Sequence, residues 1–227
     1  MKVLVVAPHR DDEVLGVGGT IARFVAEQHD VVIGIMTGHG SGETHPLYPS
    51  QEQWARLEAE ANQAYAVLGV RETIRANIPT VLVSEEPIWR INRVAEQMIR
   101  DTRPDVLFVP FLFDMHHDHR ELVRAFSVAW RPSSPEGRNI RQILAYETVS
   151  ESHWGFPGLE PAFAPNVWID ISRYLPKKLE SLKCFESQMQ PSPATRSLQA
   201  VEALARFRGS QIAVEAAEGF VLLRQIW

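Results

Sequence analysis

Short runs of apolar, β-branched residues alternate with segments of helical periodicity along most of the chain. The first run covers residues 1–7 and is stopped by Pro8, and apolar residues then recur with helical spacing over residues 15–26. A second run at residues 31–37 ends in a glycine-rich stretch, so the opening predicts a β-α-β unit with parallel strands. This alternation predicts an α/β fold: a three-layer, Rossmann-like sandwich with a mostly parallel central sheet.

The same periodicity predicts further elements down the chain. Residues 106–113 form a run too apolar to be half exposed, which predicts a central strand. Gly69 is expected to end the helix that precedes it. Predicted helices cover residues 51–68, 87–99, 121–130, 176–185 and 197–207, and predicted strands cover residues 81–83, 106–113, 143–149, 167–171 and 219–226.

The composition fits one domain that spans residues 1–227. Hydrophobic residues make up 45% and charged residues 22% of the chain, which excludes disordered, collagen-like and coiled-coil proteins. The formal charge is -5 and neither sign forms a long block, which disfavours nucleic-acid binding. Arg196, Arg206 and Arg208 alternate with Glu202, Glu215 and Glu218, and we expect them on a solvated helix face.

Cellular location is indicated by two features. The apolar run at residues 3–7 is too short for a secretory signal or a membrane span. The single cysteine, Cys184, cannot form an intrachain disulfide, which favours a reducing compartment. We therefore expect a cytoplasmic protein with no membrane span that acts on a small molecule, and a homo-oligomer is left open.

Two clusters of ionisable residues follow two of the predicted strands. Residues 9–13 read His-Arg-Asp-Asp-Glu, and residues 114–119 read Asp-Met-His-His-Asp-His. Each alone has an ordinary explanation: helix capping for the first cluster and a solvated loop for the second. However, both leave the carboxyl ends of parallel strands, so they are expected to face one crevice. Adjacent carboxylates repel each other unless a cation binds them, so the pair of clusters predicts a metal site.

The residue types fit a catalytic zinc ion, which takes three protein ligands and keeps one position open for water. His9, Asp12 and one histidine of the second cluster supply such a set. Asp11 is then placed to remove a proton from the water, whose pKa zinc lowers. A protonated histidine held by a carboxylate would stabilise the oxyanion and protonate the leaving nitrogen. The sequence thus predicts a hydrolase with one Zn2+ per chain, with Fe2+ or another divalent ion as the alternative.

The two clusters resemble the motifs of the LmbE-like or PIG-L zinc deacetylases. Residues 7–13, Ala-Pro-His-Arg-Asp-Asp-Glu, with the glycines that follow at 16, 18 and 19, resemble the first motif, and residues 116–119 resemble the second, His-x-Asp-His. The resemblance implies a de-N-acetylase that hydrolyses the acetamide of an N-acetylglucosamine-type sugar or its conjugate. It implies that His9, Asp12 and His119 bind zinc, that Asp11 is the general base, that His116 is the oxyanion and acid partner, and that Asp118 orients His116.

One position departs from the motif, since Arg10 stands where the family usually has proline. An arginine there could loosen the loop, pair with a carboxylate or contact an anionic substrate, and pairing is our default expectation. Arg56 and Trp154 are candidate substrate contacts. Arg56 lies on the helix where the family places a substrate-binding arginine, and Trp154 could stack on a sugar from its loop. His29, His39, His45 and His153 are expected at the surface.

Two other functions compete with this interpretation. A strand followed by glycines and a helix suggests a nucleotide-binding Rossmann-like protein, but the Gly-x-Gly-x-x-Gly spacing is absent and carboxylates stand where a pyrophosphate would bind. A non-catalytic metal-binding or sugar-binding family member would lack a ligand or the base. Neither is missing here, which favours the enzyme.

Overall fold

The computed structural model describes residues 1–40, 45–48, 50–156 and 158–227. Within them lie seven strands: β1 (Lys2–Ala7), β2 (Asp30–Gly38), β3 (Glu72–Pro79), β4 (Val106–Pro110), β5 (Gln142–Tyr146), β6 (Val167–Asp170) and β7 (Ala217–Gln225). They form one sheet in the order β3-β2-β1-β4-β5-β7-β6. The pairs among β1 to β5 are all parallel, whereas β7 runs antiparallel to both β5 and β6.

Helices cover both faces of this sheet. They are α1 (Asp12–Ala26), α2 (Gln51–Leu68), α3 (Ile88–Thr102), α4 (His117–Ala129), α5 (Leu175–Lys183) and α6 (Leu198–Ser210). Residues of α1, α2 and α5 share one buried cluster, which includes Val14, Leu57 and Leu182. Residues of α3 and α4 form a second cluster on the other face, with Ile91 and Phe126. The predicted three-layer sandwich is therefore confirmed.

The strand predicted at residues 81–83 is wrong. The chain there makes a turn that leads into a short 3-10 helix, Val83–Glu85. The missing strand is β3, which lies at the edge of the sheet and buries only Ile78 among its residues. An edge strand with exposed side chains lacks the apolar run by which a strand is recognised in sequence. By contrast, α2 has the predicted bounds, and Gly69 ends it in the left-handed conformation, with φ of 84°.

The order of the strands opens a crevice between β1 and β4. From β1 the chain moves to β2 on one side, and from β4 it moves to β5 on the other. This reversal separates the helices that follow the two strands and leaves space at their carboxyl ends, where α/β proteins bind ligands. The two ionisable clusters, residues 9–13 and 114–119, lie at this edge of the sheet.

A buried carboxylate near the end of the chain fixes the middle of α1. Glu218 accepts hydrogen bonds from the main-chain N–H groups of Gly19 at 2.9 Å and Thr20 at 2.7 Å. Glu218 also pairs with Lys178, which donates to the carbonyl oxygen of Leu15 at 2.7 Å. The predicted solvated face is therefore wrong for Glu218, because its partners come from distant segments. These bonds set the position of the helix that carries the first cluster.

Arg208 is also buried, so the predicted solvated face is wrong for this residue as well. Its guanidinium makes two hydrogen bonds of 2.7 Å to the carboxylate of Glu147. Charges that alternate in sequence resemble a solvated face, but a bidentate pair of this kind is stable inside the protein.

Among the helices of the described segments, none combines the length and the apolar character that a bilayer span requires.

Replacing Gly16 with alanine is expected to destabilise the protein. A Cβ added at Gly16 would lie 2.3 Å from Cδ2 of Tyr146 and 2.9 Å from the main-chain oxygen of Glu147. The Tyr146 ring is fully buried and its hydroxyl donates to the Val6 carbonyl at 3.0 Å, so it cannot move aside. Overpacking costs about 1–3 kcal/mol, and because the Tyr146 ring is held in place we expect the upper part of this range, which exceeds the roughly 1 kcal/mol that alanine gains in a helix.

Thermal unfolding of the two proteins checks this packing. The Gly16→Ala protein should melt a few degrees below the wild type, since about 1 kcal/mol shifts Tm by about 2–4 °C in a domain of this size. Gly155→Ala is the control, because the nearest atom to its added Cβ lies 3.6 Å away among the residues that the structure describes. An unchanged Tm for Gly16→Ala would show that α1 does not pack this closely on β5.

Candidate metal centre

His9, Asp12 and His119 converge in the crevice between β1 and β4. The Nδ1 atom of His9 lies 3.1 Å from Oδ2 of Asp12, and Nε2 of His119 lies 3.1 Å from the same oxygen. Asp12 is the first residue of α1 and His119 lies in the first turn of α4, so two helix starts bring these side chains together. Asp12 and His119 are fully buried.

The buried donor atoms of this trio fit a metal ion. Oδ1 of Asp12 is enclosed and has no hydrogen-bond partner among the residues that the structure describes, and Nε2 of His119 lies 3.1 Å from Oδ2 of Asp12 without the geometry of a hydrogen bond. Buried polar atoms without partners are costly, and proteins rarely leave them so. A divalent cation would be bound by both atoms, and imidazole nitrogen with carboxylate oxygen is a donor set that suits zinc and several other transition metals.

The electrostatics of the site favour a positive charge at the same point. Burial lowers the pKa of His9, but hydrogen bonds to Asp118 and Asp12 outweigh it and raise the pKa to about 9. Burial also opposes protonation of His119, yet the charge of Asp12 and the hydrogen bond to Asp114 hold its pKa well above the usual value. The carboxylates thus stabilise a cation between them, which is the charge that a metal ion brings.

A second group of donors, His9, His116 and Asp118, is also close enough to hold an ion. Its atoms already have other partners, however. The carboxylate of Asp118 accepts from the main-chain N–H groups of Val81 at 2.7 Å and Val83 at 3.3 Å. The first group is therefore the better metal site.

Asp114 sets the orientation of the His119 ring. Its Oδ2 lies 2.8 Å from Nδ1 of His119, and its Oδ1 accepts from the hydroxyl of Ser152. A histidine that donates Nδ1–H to a carboxylate presents the lone pair of Nε2 to a metal, and such partners commonly support metal sites. Asp114 belongs to the second cluster, but no role was predicted for it. The sign of this role in the sequence is a carboxylate five residues before the predicted ligand His119.

Asp11 lies in a strained backbone conformation beside these donors. Its φ of 126° is rarely adopted by residues other than glycine, and such strain is common at functional sites. The side chain is 1% exposed, and a guanidinium nitrogen of Arg196 lies 3.4 Å from Oδ2. Burial raises the pKa of Asp11 to about 7, although Arg196 opposes the shift. A carboxyl group with this pKa can accept and release a proton near neutrality.

His116 caps the start of α4 with its ring. Nδ1 accepts the main-chain N–H of Asp118 at 3.1 Å, so the proton of the neutral ring is assigned to Nε2. Burial, followed by the positive charges of His9 and His119, lowers the pKa of His116 to about 4. The expected protonated ring stays a prediction, and the neutral ring can donate one hydrogen bond from Nε2.

Among the described residues, the carboxylate of Asp118 makes no hydrogen bond to the His116 ring that it was predicted to orient, although one of its oxygens lies within 4.8 Å of a nitrogen of that ring. Besides its two main-chain contacts, it lies 3.0 Å from Nε2 of His9. It also holds a strained turn, because Val81 is a β-branched residue with φ of 60°. The link from Asp118 to His116 is made by the main-chain N–H, which follows from the cap at the start of α4.

A cavity of about 170 Å³ opens beside these side chains. His9, Asp11 and His116 lie in its wall at the metal centre. The remaining wall includes Arg10, Thr37, Leu47, Tyr48, Trp54, Leu57, Thr80, Val81, Gln188 and Arg196. This arrangement gives a small molecule access to the predicted base.

His45 fixes the segment that carries Tyr48. Its Nε2 lies 2.9 Å from the carbonyl oxygen of Thr80, and its Nδ1 accepts the N–H groups of Leu47 and Tyr48. The prediction of a surface position for His45 is wrong, since the side chain is 3% exposed. Its role could not be recognised because both contacts depend on how this segment folds against the residues after β3.

Arg56 and Trp154 lie outside the residues that line this cavity. Arg56 donates to Glu60 at 3.0 Å, one turn further along α2, and its side chain is exposed. Trp154 is 56% exposed. Their predicted contacts with substrate therefore have no support in this geometry. The arginines in the wall are Arg10 and Arg196, and Arg196 was predicted on a solvated face.

A family model described as GlcNAc-PI de-N-acetylase, PIG-L, matches residues 4–130, which is more than half of the chain and includes both clusters. The chain belongs to the PIG-L family. The resemblance of the two motifs is thereby confirmed, and the His9–Asp12–His119 trio lies within the matched part of this PIG-L chain.

Relatives of this PIG-L protein are known across most of its length. It is 27% identical over 195 residues to diacetylchitobiose deacetylase of Thermococcus kodakarensis, covering 82% of this chain and 70% of the relative. It is 25% identical over 191 residues to a probable N-acetyl-alpha-D-glucosaminyl L-malate deacetylase 2 of Bacillus anthracis, covering 82% and 80%. The crystal structure of a conserved protein from Thermus thermophilus matches with a TM-score of 0.75 and 27% identity, covering 100% of this chain and 96% of that one.

Proposed function

We propose that this protein is a metal-dependent hydrolase that removes the acetyl group from an N-acetylated amino sugar, of the N-acetylglucosamine type, or from its conjugate. The products are acetate and the free amine. The observation that carries the proposal is the buried His9–Asp12–His119 donor set with Asp11 and His116 beside it in one cavity wall. The names of the two deacetylase relatives support the same chemistry and the same kind of substrate.

His9, Asp12 and His119 would hold one divalent ion per chain, and we propose Zn2+, with Fe2+ as the alternative. Such an ion, when bound, polarises the acetyl carbonyl and lowers the pKa of water. The donor set of two imidazoles and one carboxylate supports zinc because catalytic zinc sites commonly use three ligands of these types. Asp114 would keep the His119 ring in the orientation that binding requires.

Asp11 is the proposed general base. Its carboxylate removes a proton from the water that attacks the acetyl carbon, which its position in the cavity wall and its pKa near 7 both support. The same carboxyl group, once protonated, can release the proton to the departing amine nitrogen. Arg196 limits the mobility of the Asp11 side chain through its contact with Oδ2.

His116 is the proposed donor to the oxyanion. A neutral ring with its proton on Nε2 can donate a hydrogen bond to the oxygen as negative charge develops there. Transfer of a proton from His116 to the leaving nitrogen stays a prediction.

The wall formed by Tyr48 and Trp54, whose ring centroids are 5.1 Å apart, offers an apolar surface against which a sugar ring can pack.

Replacing His116 with alanine is expected to lower kcat about a hundredfold to a thousandfold, because the variant loses a donor aimed at the oxyanion. Metal content should not change, since the ring is outside the proposed ligand set. Steady-state kinetics and elemental analysis of one preparation measure both. The exposed neighbour His117 provides the matched control, and His117→Ala should have wild-type kinetics. Loss of metal from the His116 variant would assign the ion to the second donor group instead.

A substrate panel tests the function itself. The metal-loaded protein is incubated with N-acetyl sugars, their glycosides and nucleotide sugars, and acetate and primary amine are measured together. Equal release of both products from at least one sugar is the expected result. The nucleotide-binding alternative is less well supported, because the buried carboxylates of Asp11 and Asp12 stand at the start of α1 where a pyrophosphate would bind. Binding of sugars without release of acetate would instead identify a non-catalytic member of the family.

We further propose that residues 1–227 act as one domain in the cytoplasm. The single sheet, which takes strands from both ends of the chain, supports one domain. The single cysteine, Cys184, supports a reducing compartment.

A further inference from the structure

We propose that Arg10 makes the cavity selective for an N-acetyl sugar conjugate that carries an oxyanion, either a carboxylate or a phosphate, close to the sugar. This inference rests on the proposed function and names the substrate class within it. It begins from the position where the chain departs from the family motif.

The guanidinium of Arg10 is buried but poorly hydrogen-bonded. Its side chain is 5% exposed, and its only hydrogen bond within the described segments is a long one, 3.4 Å from a terminal nitrogen to the carbonyl oxygen of Thr37. The Nε atom is enclosed and has no partner among the same residues. A guanidinium has five N–H donors and stays charged in proteins, so most of its donors lack an acceptor.

The charge of Arg10 is also incompletely balanced. The nearest carboxylate oxygen belongs to Glu58 and lies 3.9 Å away, beyond hydrogen-bond distance. Glu58 is bound more closely by Arg75, which donates directly to the same oxygen. Two guanidinium groups therefore share one carboxylate. Of the buried carboxylates near the site, Asp11 pairs with Arg196, and Glu13 accepts the main-chain N–H of Asp11 and acts on Arg10 through its charge, with no direct hydrogen bond among the described residues.

Trp54 holds this cation in place at the wall of the cavity. The guanidinium carbon lies 4.6 Å from the centroid of the Trp54 ring, and both residues line the cavity. A stack of this kind occupies a face of the guanidinium, whereas its donors lie in the plane and along the edge. The expectation that Arg10 pairs with a carboxylate is thus met only weakly, and the donors are left for a ligand.

Carboxylates and phosphates are the ligands that such a group binds best. Both present two oxygen atoms that match the fork of a guanidinium, which gives short, charge-assisted bonds. The cavity also holds His9, Asp11 and His116, so an anion on Arg10 and an acetamide at the metal centre would belong to one molecule. The sugar would lie between them, against Tyr48 and Trp54.

Two matched pairs of substrates test the proposal. One pair is an N-acetylglucosamine glycoside with a carboxylate in its aglycone and the corresponding primary amide; the other is N-acetylglucosamine 1-phosphate and the methyl glycoside. The wild type should prefer the anion in at least one pair by about tenfold to a hundredfold in kcat/KM, since hydrogen bonds between charged groups contribute this much. A preference confined to one pair identifies which oxyanion the site accepts.

Variants of the cavity wall then assign the preference to Arg10. Arg10→Met should reduce the anion preference to about threefold or less, mainly through a higher KM for the anionic substrate. Arg10→Lys should keep part of the preference. Glu58→Gln should increase it, because the weak competing carboxylate is removed. Arg124→Met, which removes an exposed arginine paired with Glu121 on α4, should leave it unchanged.

The outcomes separate this inference from the proposed function. Equal deacetylation of anionic and neutral substrates by the wild type would overturn the role of Arg10 and leave the deacetylase intact. If no sugar releases acetate, the proposed function fails, and calorimetry of the anionic and neutral amine products still tests the cavity. Equal affinity for both products, or an anion preference that survives in Arg10→Met, would overturn the proposal. If Arg10→Met does not fold, an unchanged anion preference in both Arg10→Lys and Glu58→Gln would also overturn the proposal.

Discussion

The Asp11→Asn variant is expected to fold and to bind metal, yet to lose about a hundredfold to ten-thousandfold in kcat. Asparagine has nearly the same volume as aspartate, and it leaves His9, Asp12 and His119 in place. However, an amide cannot take a proton from the attacking water. Because the loss arises after the substrate is bound, it should fall in kcat rather than in KM.

The pH dependence of kcat provides a second measurement on the same protein. With a pKa near 7, the Asp11 carboxyl group is a competent base only when it is deprotonated, so wild-type kcat should rise with pH through the pKa of this group. A bound cation lowers that pKa and moves the rise to lower pH. This rise of kcat with pH should be absent or altered in the Asp11→Asn variant. A variant with full metal content and near wild-type kcat would show that another group is the base.

Removing the metal ion is expected to abolish hydrolysis altogether. A chelator should inactivate the enzyme, and added Zn2+ or Fe2+ should restore it, because no described side chain replaces the Lewis acid. His119→Ala should have the same effect by removing one of three ligands, and metal analysis should show less than a full equivalent. Full activity in metal-free protein would exclude this mechanism.

Two further variants make the metal experiment specific. Asp114→Asn should weaken metal binding about tenfold to a hundredfold, since it loosens the orientation of a ligand without removing one. His29→Ala is the control for loss of a histidine, because His29 lies far from the crevice and pairs with Glu27. Equal metal affinity in Asp114→Asn and the wild type would show that Asp114 does not position His119.

The parts of the fold that could be predicted are those whose sequence signal is local. The buried strands β1 and β4 are continuous apolar runs, and α2 ends at a glycine that adopts the left-handed conformation. The two ionisable clusters were recognised as one site because parallel strands end at the same edge of a sheet. Edge strand β3 was missed since most of its side chains are not buried.

The parts of the site that were missed depend on contacts between distant segments. Arg196 precedes α6 and reaches Asp11 across the fold, so its neighbours in sequence carry no sign of this role. Tyr48 lines the cavity because His45 holds its main chain in place. Trp54 lines the cavity beside Arg10, whose guanidinium lies over the Trp54 ring. Sequence spacing identifies groups that share a helix or a strand end, but it cannot show which loops complete a wall.

The bonds between Glu218 and α1 have a consequence for how the protein matures during synthesis. The carboxylate of Glu218 lies 199 and 198 positions from the N–H groups that it binds. The helix that carries Asp12 leaves the ribosome early, but its central turn lacks this support until β7 has emerged and joined the sheet. Such remote contacts form late, because the intervening chain must first be ordered. A nascent chain should therefore capture its metal ion tightly only after β7 has emerged and joined the sheet.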